Sequence, residues 1–357
     1  MADKRTVVVA MSGGVDSSVA AALLKERGER VIGVMLRLWS ESEGDSRNRC
    51  CTVDALSQAR YIAGELDIPF YAIDAKDIFH EVVVKSFIDD YAQGLTPNPC
   101  LVCNRHIKWG FMYERARALG GDFMATGHYA RLRKKNAVEV ELLKGLDAQK
   151  DQSYFLHVLN QEMLQHTLFP LGRYTKAEVR GMARDFNLPM AKRPDSQDLC
   201  FVGDGDYREF LRRHAPQVEN PGPILSVRGE KLGSHLGLAF YTIGQRKGLG
   251  VFAPRPLYVI AKDLAQNALI VGEQEELRQS QLTVRDINWI SGATPQQPFR
   301  AEVKIRYKAN AVWGMVTPEE QNQARVKLEK PLHDITPGQA AVFYDGEICL
   351  GGGTITK

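Results

Sequence analysis

The run Thr6-Val7-Val8-Val9-Ala10 passes at once into Met11-Ser12-Gly13-Gly14-Val15-Asp16-Ser17-Ser18 and then into an Ala- and Leu-rich stretch ending at Leu24. An apolar, β-branched run predicts a strand buried on both faces of a parallel sheet. The Ala-rich stretch predicts a helix. A Ser-Gly-Gly turn between them aims backbone N–H groups and a helix N-terminus at an anion. Gly13 and Gly14 are expected to admit positive φ and a close approach to phosphate. Ser12, Ser17 and Ser18 can donate hydroxyl hydrogen bonds to the same anion. Asp16 is the odd residue, because a carboxylate repels phosphate. It is expected as an N-cap, as a Mg²⁺ ligand, or as both. The plainer reading of the stretch is a tight strand-to-helix turn with a serine cap.

The chain contains neither G-x-x-x-x-G-K-[ST] nor the dinucleotide G-x-G-x-x-G. Its loop resembles the S-G-G-x-D-S-S loop of the PP-loop ATP pyrophosphatases, which cleave ATP between the α and β phosphates and adenylate a carbonyl oxygen. The resemblance implies that Ala10, Met11, Ser12, Gly13, Gly14, Val15, Asp16 and Ser17 bind ATP. The complete heptapeptide behind an N-terminal strand favours this reading over a plain turn.

The following residues extend the α/β pattern. Strands are expected at 30–38 and 69–73, and helices at 53–66 and 78–91, so residues 1–94 alternate β and α as a doubly wound parallel sheet requires. Leu36, near the C-terminal end of the second strand, faces the nucleotide crevice of such a sheet and is a candidate adenine contact. Asp122 to Tyr129 reads as another strand ending in a Gly-His turn. Gly127 suits close approach to ATP, and His128 is placed to touch nucleotide or RNA. Thr175 with Glu178 three residues on predicts a capping box. From Pro221 the texture changes to short β runs punctuated by Gly and Pro, with a second break near Gln279. The expected domains are a catalytic ATP-binding α/β domain (1–205), a small mixed central domain (206–278) and a C-terminal all-β barrel (279–357).

A chain of 357 residues exceeds one typical core. No apolar run approaches the roughly 20 residues of a membrane span, and a strand begins too early for a signal peptide. A cytoplasmic enzyme, monomeric and without membrane contact, is the simplest expectation. The net charge of +3 argues little for nucleic acid, but its distribution is uneven. Residues 1–99 hold 11 Lys/Arg against 15 Asp/Glu, whereas residues 100–150 hold 10 against 5. A basic belt behind an ATP site suits a phosphate backbone, and a solvated charged face suits it equally.

Six cysteines occur, at 50, 51, 100, 103, 200 and 349. In a reducing compartment these read as catalytic, redox or metal-binding residues. Cys103 is expected just before a helix from His106 to Leu119, close to Arg105 and Lys108, where a thiol is activated as a nucleophile. Cys100 and Cys103 form C-x-x-C, half of a zinc site, but adjacent Cys50 and Cys51 make a poor second pair. Cys50 and Cys51 read as structural or incidental, and Cys349 as buried.

With the PP-loop, the stretches T-P-N-P-C-L-V-C-N, A-T-G-H-Y, K-D-Q-S-Y-F and D-S-Q-D-L-C-F resemble the bacterial tRNA-specific 2-thiouridylase family, as do Tyr241 to Gly250 and Lys304 to Tyr307. The resemblance runs from about residue 6 to the end. It implies an ATP-dependent sulfurtransferase that replaces the 2-carbonyl oxygen of the wobble uridine of tRNA with sulfur, using ATP and Mg²⁺. It implies that Cys200 receives a persulfide from a donor protein (a relay protein or cysteine desulfurase). Cys103 is then the nucleophile that releases the sulfur, leaving a Cys103–Cys200 disulfide for an external reductant. By the same resemblance Asn98, Pro99 and Cys100 line the target-base pocket. His128, Lys150, Asp151, Gln152, Arg306, Tyr307 and Gln339 contact tRNA. Some family members carry Asp where Cys100 stands, which leaves open an iron–sulfur cluster held by Cys100, Cys103 and Cys200. Two other readings differ in class. A PP-loop amidating ligase, of the argininosuccinate- or NAD-synthetase type, needs no paired cysteines. A non-catalytic RNA-binding module releases no pyrophosphate.

Overall fold

The computed structural model describes residues 4–39, 53–190, 199–202 and 206–356. Cys50, Cys51 and the Asp195–Asp198 part of the D-S-Q-D-L-C-F stretch lie outside the described residues.

Five strands form the N-terminal sheet: β1 (Thr6–Ala10), β2 (Arg30–Arg37), β3 (Phe70–Asp74), β4 (Phe123–Ala125) and, after two intervening strands, the short β7 (Thr167–Leu168). They lie in the order β3-β2-β1-β4-β7, all parallel. The order runs outward from β1 in both directions, so its topological switch point lies between β1 and β4. In an open α/β sheet that crevice is where ligands bind. The β-branched run of β1 explains its central place. Val7 and Val9 pack into the core on one face and Val8 into the core on the other, all fully buried.

The first face is covered by α1 (Val15–Glu26), α2 (Val53–Glu65) and, later in the chain, the helix Lys176–Asp185. A helix of residues 76–92 follows β3, and another of residues 99–118 follows it. These two are α3 and α4, and Lys176–Asp185 is α5. Helix α4 starts seven residues earlier than the His106 expected from sequence. Pro99 occupies its first turn, where a missing N–H costs nothing. From Cys103 to Met112 the helix widens to i→i+5 bonding, a departure that local propensity does not announce. Thr175 and Glu178 make the expected capping box at the start of α5.

Between β4 and β7 the chain inserts a hairpin, β5 (Ala130–Lys134) and β6 (Val140–Lys144), that the sequence reading left out. After α6 (Tyr207–His214) comes a four-stranded mixed sheet. Its strands are β8 (Gly222–Ser226), β9 (Lys231–His235), β10 (Tyr258–Asp263) and β11 (Ala268–Gly272).

The last six strands are β12 (Gln279–Trp289), β13 (Phe299–Lys304), β14 (Val312–Glu319), β15 (Gln323–Leu332), β16 (Ala340–Asp345) and β17 (Ile348–Ile355). They pair antiparallel around a ring, and the β12–β17 pairing closes it into a barrel. The N-terminal hairpin joins this barrel, because β6 pairs with β17 at Leu142–Cys349 and Leu143–Ile348. Tyr154, Trp109, Val342 and Tyr344 share one buried core, so α4 and the barrel are packed as neighbours.

Candidate active site

The loop after β1 sits at the switch point. Met11 N–H donates to the Val34 carbonyl (2.8 Å), extending the β1–β2 ladder by one bond. Met11 and Val15 are buried and pack into the core on the first face of the sheet. Gly13 has φ of +72°, and a Cβ there would stand 2.6 Å from the Ala55 carbonyl oxygen. Only glycine fits. Gly14 departs from expectation: its φ of −92° and ψ of 165° are ordinary extended values, and it is itself the N-cap of α1. The serine hydroxyls turn inward onto the loop. Ser17 Oγ accepts from Ser12 N–H (3.1 Å) and donates to the Gly14 carbonyl (3.2 Å), which also accepts from Ser18 Oγ (2.8 Å).

Asp16 is therefore not the N-cap but the second residue of α1. Its carboxylate accepts both oxygens' worth of bonding from Lys176 Nζ, at 2.7 and 2.8 Å, and a hydrogen bond from the Tyr129 hydroxyl at 2.8 Å. The ion pair is partly buried, with the Lys176 side chain 13% exposed. Sequence reasoning did not single out Lys176. It comes 160 residues after Asp16, and no local pattern connects them.

The other wall is the turn after β4. A Cβ on Gly127 would lie 2.8 Å from both the Asp16 carbonyl carbon and the Ser17 nitrogen. Gly127 is thus pressed onto the first turn of α1. The adjoining His128 is held between Thr126, whose Oγ1 is 2.6 Å from Nδ1, and Lys108, whose Nζ is 3.5 Å from Nε2. Burial, with Lys108 nearby, holds its pKa well below the usual histidine value. Both effects favour the neutral form of the His128 imidazole. Lys108 also donates to Asn104 Oδ1 (2.9 Å), and Asn104 Nδ2 donates to the Phe155 carbonyl (2.9 Å). A continuous polar chain thus runs from the turn beside Gly127 to the residue next to Cys103. Leu36 is half-buried near the end of β2 and packs against two cores, one of which includes Trp109 and the other Phe79.

Cys100 is exposed, and Cys103 and Cys200 are half-buried. Both Cys103 and Cys200 pack against the same buried cluster, built by Phe79, Phe87, Ile107, Phe201 and Phe210. The rings of Phe79, Phe87 and Phe210 meet Phe201 edge-on at 5.2–5.8 Å, which anchors the chain beside Cys200. Cys349 is buried in β17, where desolvation pushes its thiol far up. Among the described residues, no group of three or more His, Cys, Asp or Glu side chains is placed to hold a metal ion. Cys100, Cys103 and Cys200 do not fit a shared cluster in this arrangement.

The residues assigned to tRNA divide sharply. Asn98, at the N-cap of α4, hydrogen-bonds the Tyr154 hydroxyl, which donates to the Ala340 carbonyl. Pro99 is buried behind exposed Cys100. Gln339 Nε2 donates to the Thr96 and Pro97 carbonyls at 2.8 and 3.2 Å, and Thr96 N–H donates back to Pro337 (2.9 Å). The barrel turn at 336–339 thus clamps the loop that carries Asn98. Asp151 is more enclosed than its place in a polar cluster suggests. It is buried, and its carboxylate accepts from the Gly145 and Ser153 N–H groups and from Ser153 Oγ. Its side chain organises its own turn. Gln152 likewise accepts from Tyr129 N–H through Oε1 (3.0 Å), steadying the turn after Gly127. Lys150 is half-buried. Arg306 pairs with Asp334 (3.2 Å) and Thr336, and the Tyr307 ring lies 4.5 Å from that of Phe155. Arg306 also lines an open cleft of about 480 Å³ with Tyr207, Arg208, Gln245 and Lys247.

Known proteins match nearly the full length of the chain. The family profile described as "tRNA methyl transferase HUP domain" matches residues 5–204, "tRNA methyl transferase PRC-barrel domain" 208–273 and "Aminomethyltransferase beta-barrel domain" 279–355. A protein of Roseiflexus castenholzii named tRNA-specific 2-thiouridylase MnmA is 46% identical, covering 98% of this chain and 99% of its own. Proteins of the same name from Moorella thermoacetica and Natranaerobius thermophilus are each 48% identical, covering 98% of this chain and 98% and 97% of theirs.

Proposed function

The chain belongs to the tRNA-specific 2-thiouridylase family, and from that premise we propose that it activates the wobble uridine of tRNA with ATP and delivers sulfur to it through Cys103 and Cys200. The observation that carries this reading is the shared seat of the two cysteines. Cys103 and Cys200 rest on one aromatic core. The helix bearing Cys103 is tied through Asn104, Lys108 and His128 to the turn that abuts the ATP loop. An amidating ligase has no use for the thiols, and an RNA-binding module has no use for the loop.

The chemistry follows from the substrate. The uracil 2-carbonyl is a weak electrophile, and oxide is not a viable leaving group. Attack of O2 on the α phosphorus of ATP releases pyrophosphate and leaves an O-adenylated uracil, from which AMP departs. The loop's Gly13 and Gly14 backbone and the N-terminus of α1 face the phosphates. Mg²⁺ would neutralise phosphate charge, and Asp16 is the carboxylate at hand. Among the described residues no group of three or more His, Cys, Asp or Glu side chains is placed to hold a metal ion, so the phosphates would supply the rest of its ligands. A persulfide on Cys200 attacks C2 and expels AMP, joining C2 to Cys200 through two sulfurs. Cys103 then attacks the Cys200 Sγ. The S–S bond breaks, sulfur stays on C2 as the thiocarbonyl, and a Cys103–Cys200 disulfide forms. A two-electron reductant restores the thiols. Such a bond needs Cα atoms within about 7 Å, which a common core favours.

Asn98, Pro99 and Cys100 form the target-base loop in this reading, and the Gln339 clamp holds that loop. A base in an anticodon loop can be flipped into such a pocket. The test is single-turnover thiolation of unmodified tRNA with ATP and a persulfide donor, scored by mass spectrometry of nucleosides. Thiouridine with one pyrophosphate released per sulfur is expected. Thiolation without pyrophosphate release refutes the activation step.

A further inference from the structure

Lys176 stands where a helix should not want it. It is the first residue of α5, at the positive end of the helix dipole, where acidic side chains are favoured and cations disfavoured. Its ammonium reaches across to the first turn of α1, the positive end of a second helix. Two helix N-termini and one lysine thus converge on a single carboxylate, Asp16. That carboxylate is held at 2.7 and 2.8 Å by Lys176 and at 2.8 Å by Tyr129, whose ring also lies 5.9 Å from the ammonium. The pair lies directly beside Ser17, whose hydroxyl satisfies the Ser12 N–H of the phosphate loop. A site with this excess of positive ends is suited to a polyanion carrying more charge than one aspartate.

We propose that Lys176 is the exchangeable cation of the ATP site: the Lys176–Asp16 pair seen here opens as the nucleotide binds, and Lys176 transfers to the β and γ phosphates, remaining with pyrophosphate as it leaves. Asp16 keeps the Tyr129 hydroxyl and is left open to the divalent ion that accompanies the phosphates. This assignment rests on the adenylation reading of the loop and gives it a residue that senses the pyrophosphate half of ATP alone. Nothing in the AMP half requires the lysine, so the two halves of ATP should respond differently to its removal. The lysine stem is long enough to swing without moving α5, because the capping box fixes the helix start through Thr175 and Glu178 instead.

Isothermal titration of the intact protein with ATP, with inorganic pyrophosphate and with AMP, each with Mg²⁺, tests the assignment in wild type, Lys176→Gln and Lys176→Arg. The expected result is a loss of about tenfold to a hundredfold in ATP and pyrophosphate affinity for Lys176→Gln, the worth of one charge-assisted hydrogen bond. AMP affinity should hold within about twofold, and Lys176→Arg should recover part of the loss. Equal affinities for pyrophosphate in wild type and Lys176→Gln overturn the proposal. So does a parallel loss of AMP binding, which marks Lys176 as a brace for Asp16 and nothing more. If wild type itself binds neither ATP nor pyrophosphate, it is the adenylation reading that falls.

Discussion

Replacing Gly127 with alanine probes the contact between the two walls of the crevice. The added methyl would lie 2.8 Å from the Asp16 carbonyl carbon, 2.8 Å from the Ser17 nitrogen and 3.0 Å from Asp16 Cβ. Two of these atoms are backbone, so no side chain can rotate away. Gly127 does not have the left-handed φ that penalises alanine, so the cost is the contact alone. Either the turn after β4 or the first turn of α1 must retreat by several tenths of an ångström. Overpacking of this kind costs about 1–3 kcal/mol. Asp16 and Ser17 lie on one side of this contact and Gly127 on the other, so whichever turn retreats, the two walls of the crevice separate and the phosphate loop loses its geometry together with stability. Urea denaturation should show that loss at unchanged m-value, and titration calorimetry should show ATP binding weakened by roughly tenfold or more, as small misplacements at a preorganised site do. Gly64→Ala in α2 is the control. Nothing lies within 4 Å of its added methyl, so stability should hold or rise by a few tenths of a kcal/mol. A Gly127→Ala variant with wild-type stability and ATP affinity would refute the placement of this turn against the loop.

Three further outcomes follow from the structure. Gln339→Ala removes both bonds to the Thr96 and Pro97 carbonyls and should cost about 1–2 kcal/mol. Its main effect should be on the KM for tRNA, leaving ATP affinity unchanged. His157 is buried, donates Nδ1–H to the Tyr154 carbonyl and titrates at about 4 in the folded protein because burial disfavours its cation. The unfolded chain binds that proton at an ordinary pKa of about 6.5, so stability is full above that value. It falls as pH drops toward about 4, by on the order of 3 kcal/mol, read from chemical denaturation across pH 4–7. Alkylation of the native protein should label exposed Cys100 and spare buried Cys349 until the barrel unfolds, as peptide mass spectrometry will show.

What the sequence made legible was local or periodic. The β-branched run of β1, the Ser-Gly-Gly turn, the capping box at Thr175 and the change of texture near Gln279 each declare themselves within a few residues. What stayed hidden depends on partners far away in the chain. Lys176 meets Asp16 across 160 residues, and Gln339 meets Thr96 across 243. The β5–β6 hairpin is polar enough to pass for a loop until β17 supplies its partner. The burial of Asp151 was hidden in the opposite way. A charged residue in a polar cluster reads as surface, yet three donors from its own turn bury it. Of the two loop glycines only Gly13 takes positive φ, and a Gly-Gly pair does not reveal in sequence which member will.

In the proposed reaction, sulfur transfer within one turnover joins Cys200 to Cys103. The direct measurement is peptide mass spectrometry of the protein after a single turnover with persulfide donor, ATP and tRNA but no reductant. A Cys103–Cys200 disulfide equal in amount to the thiouridine formed is expected, and none when ATP is omitted. Thiouridine formed in full with both cysteines still reduced would contradict it.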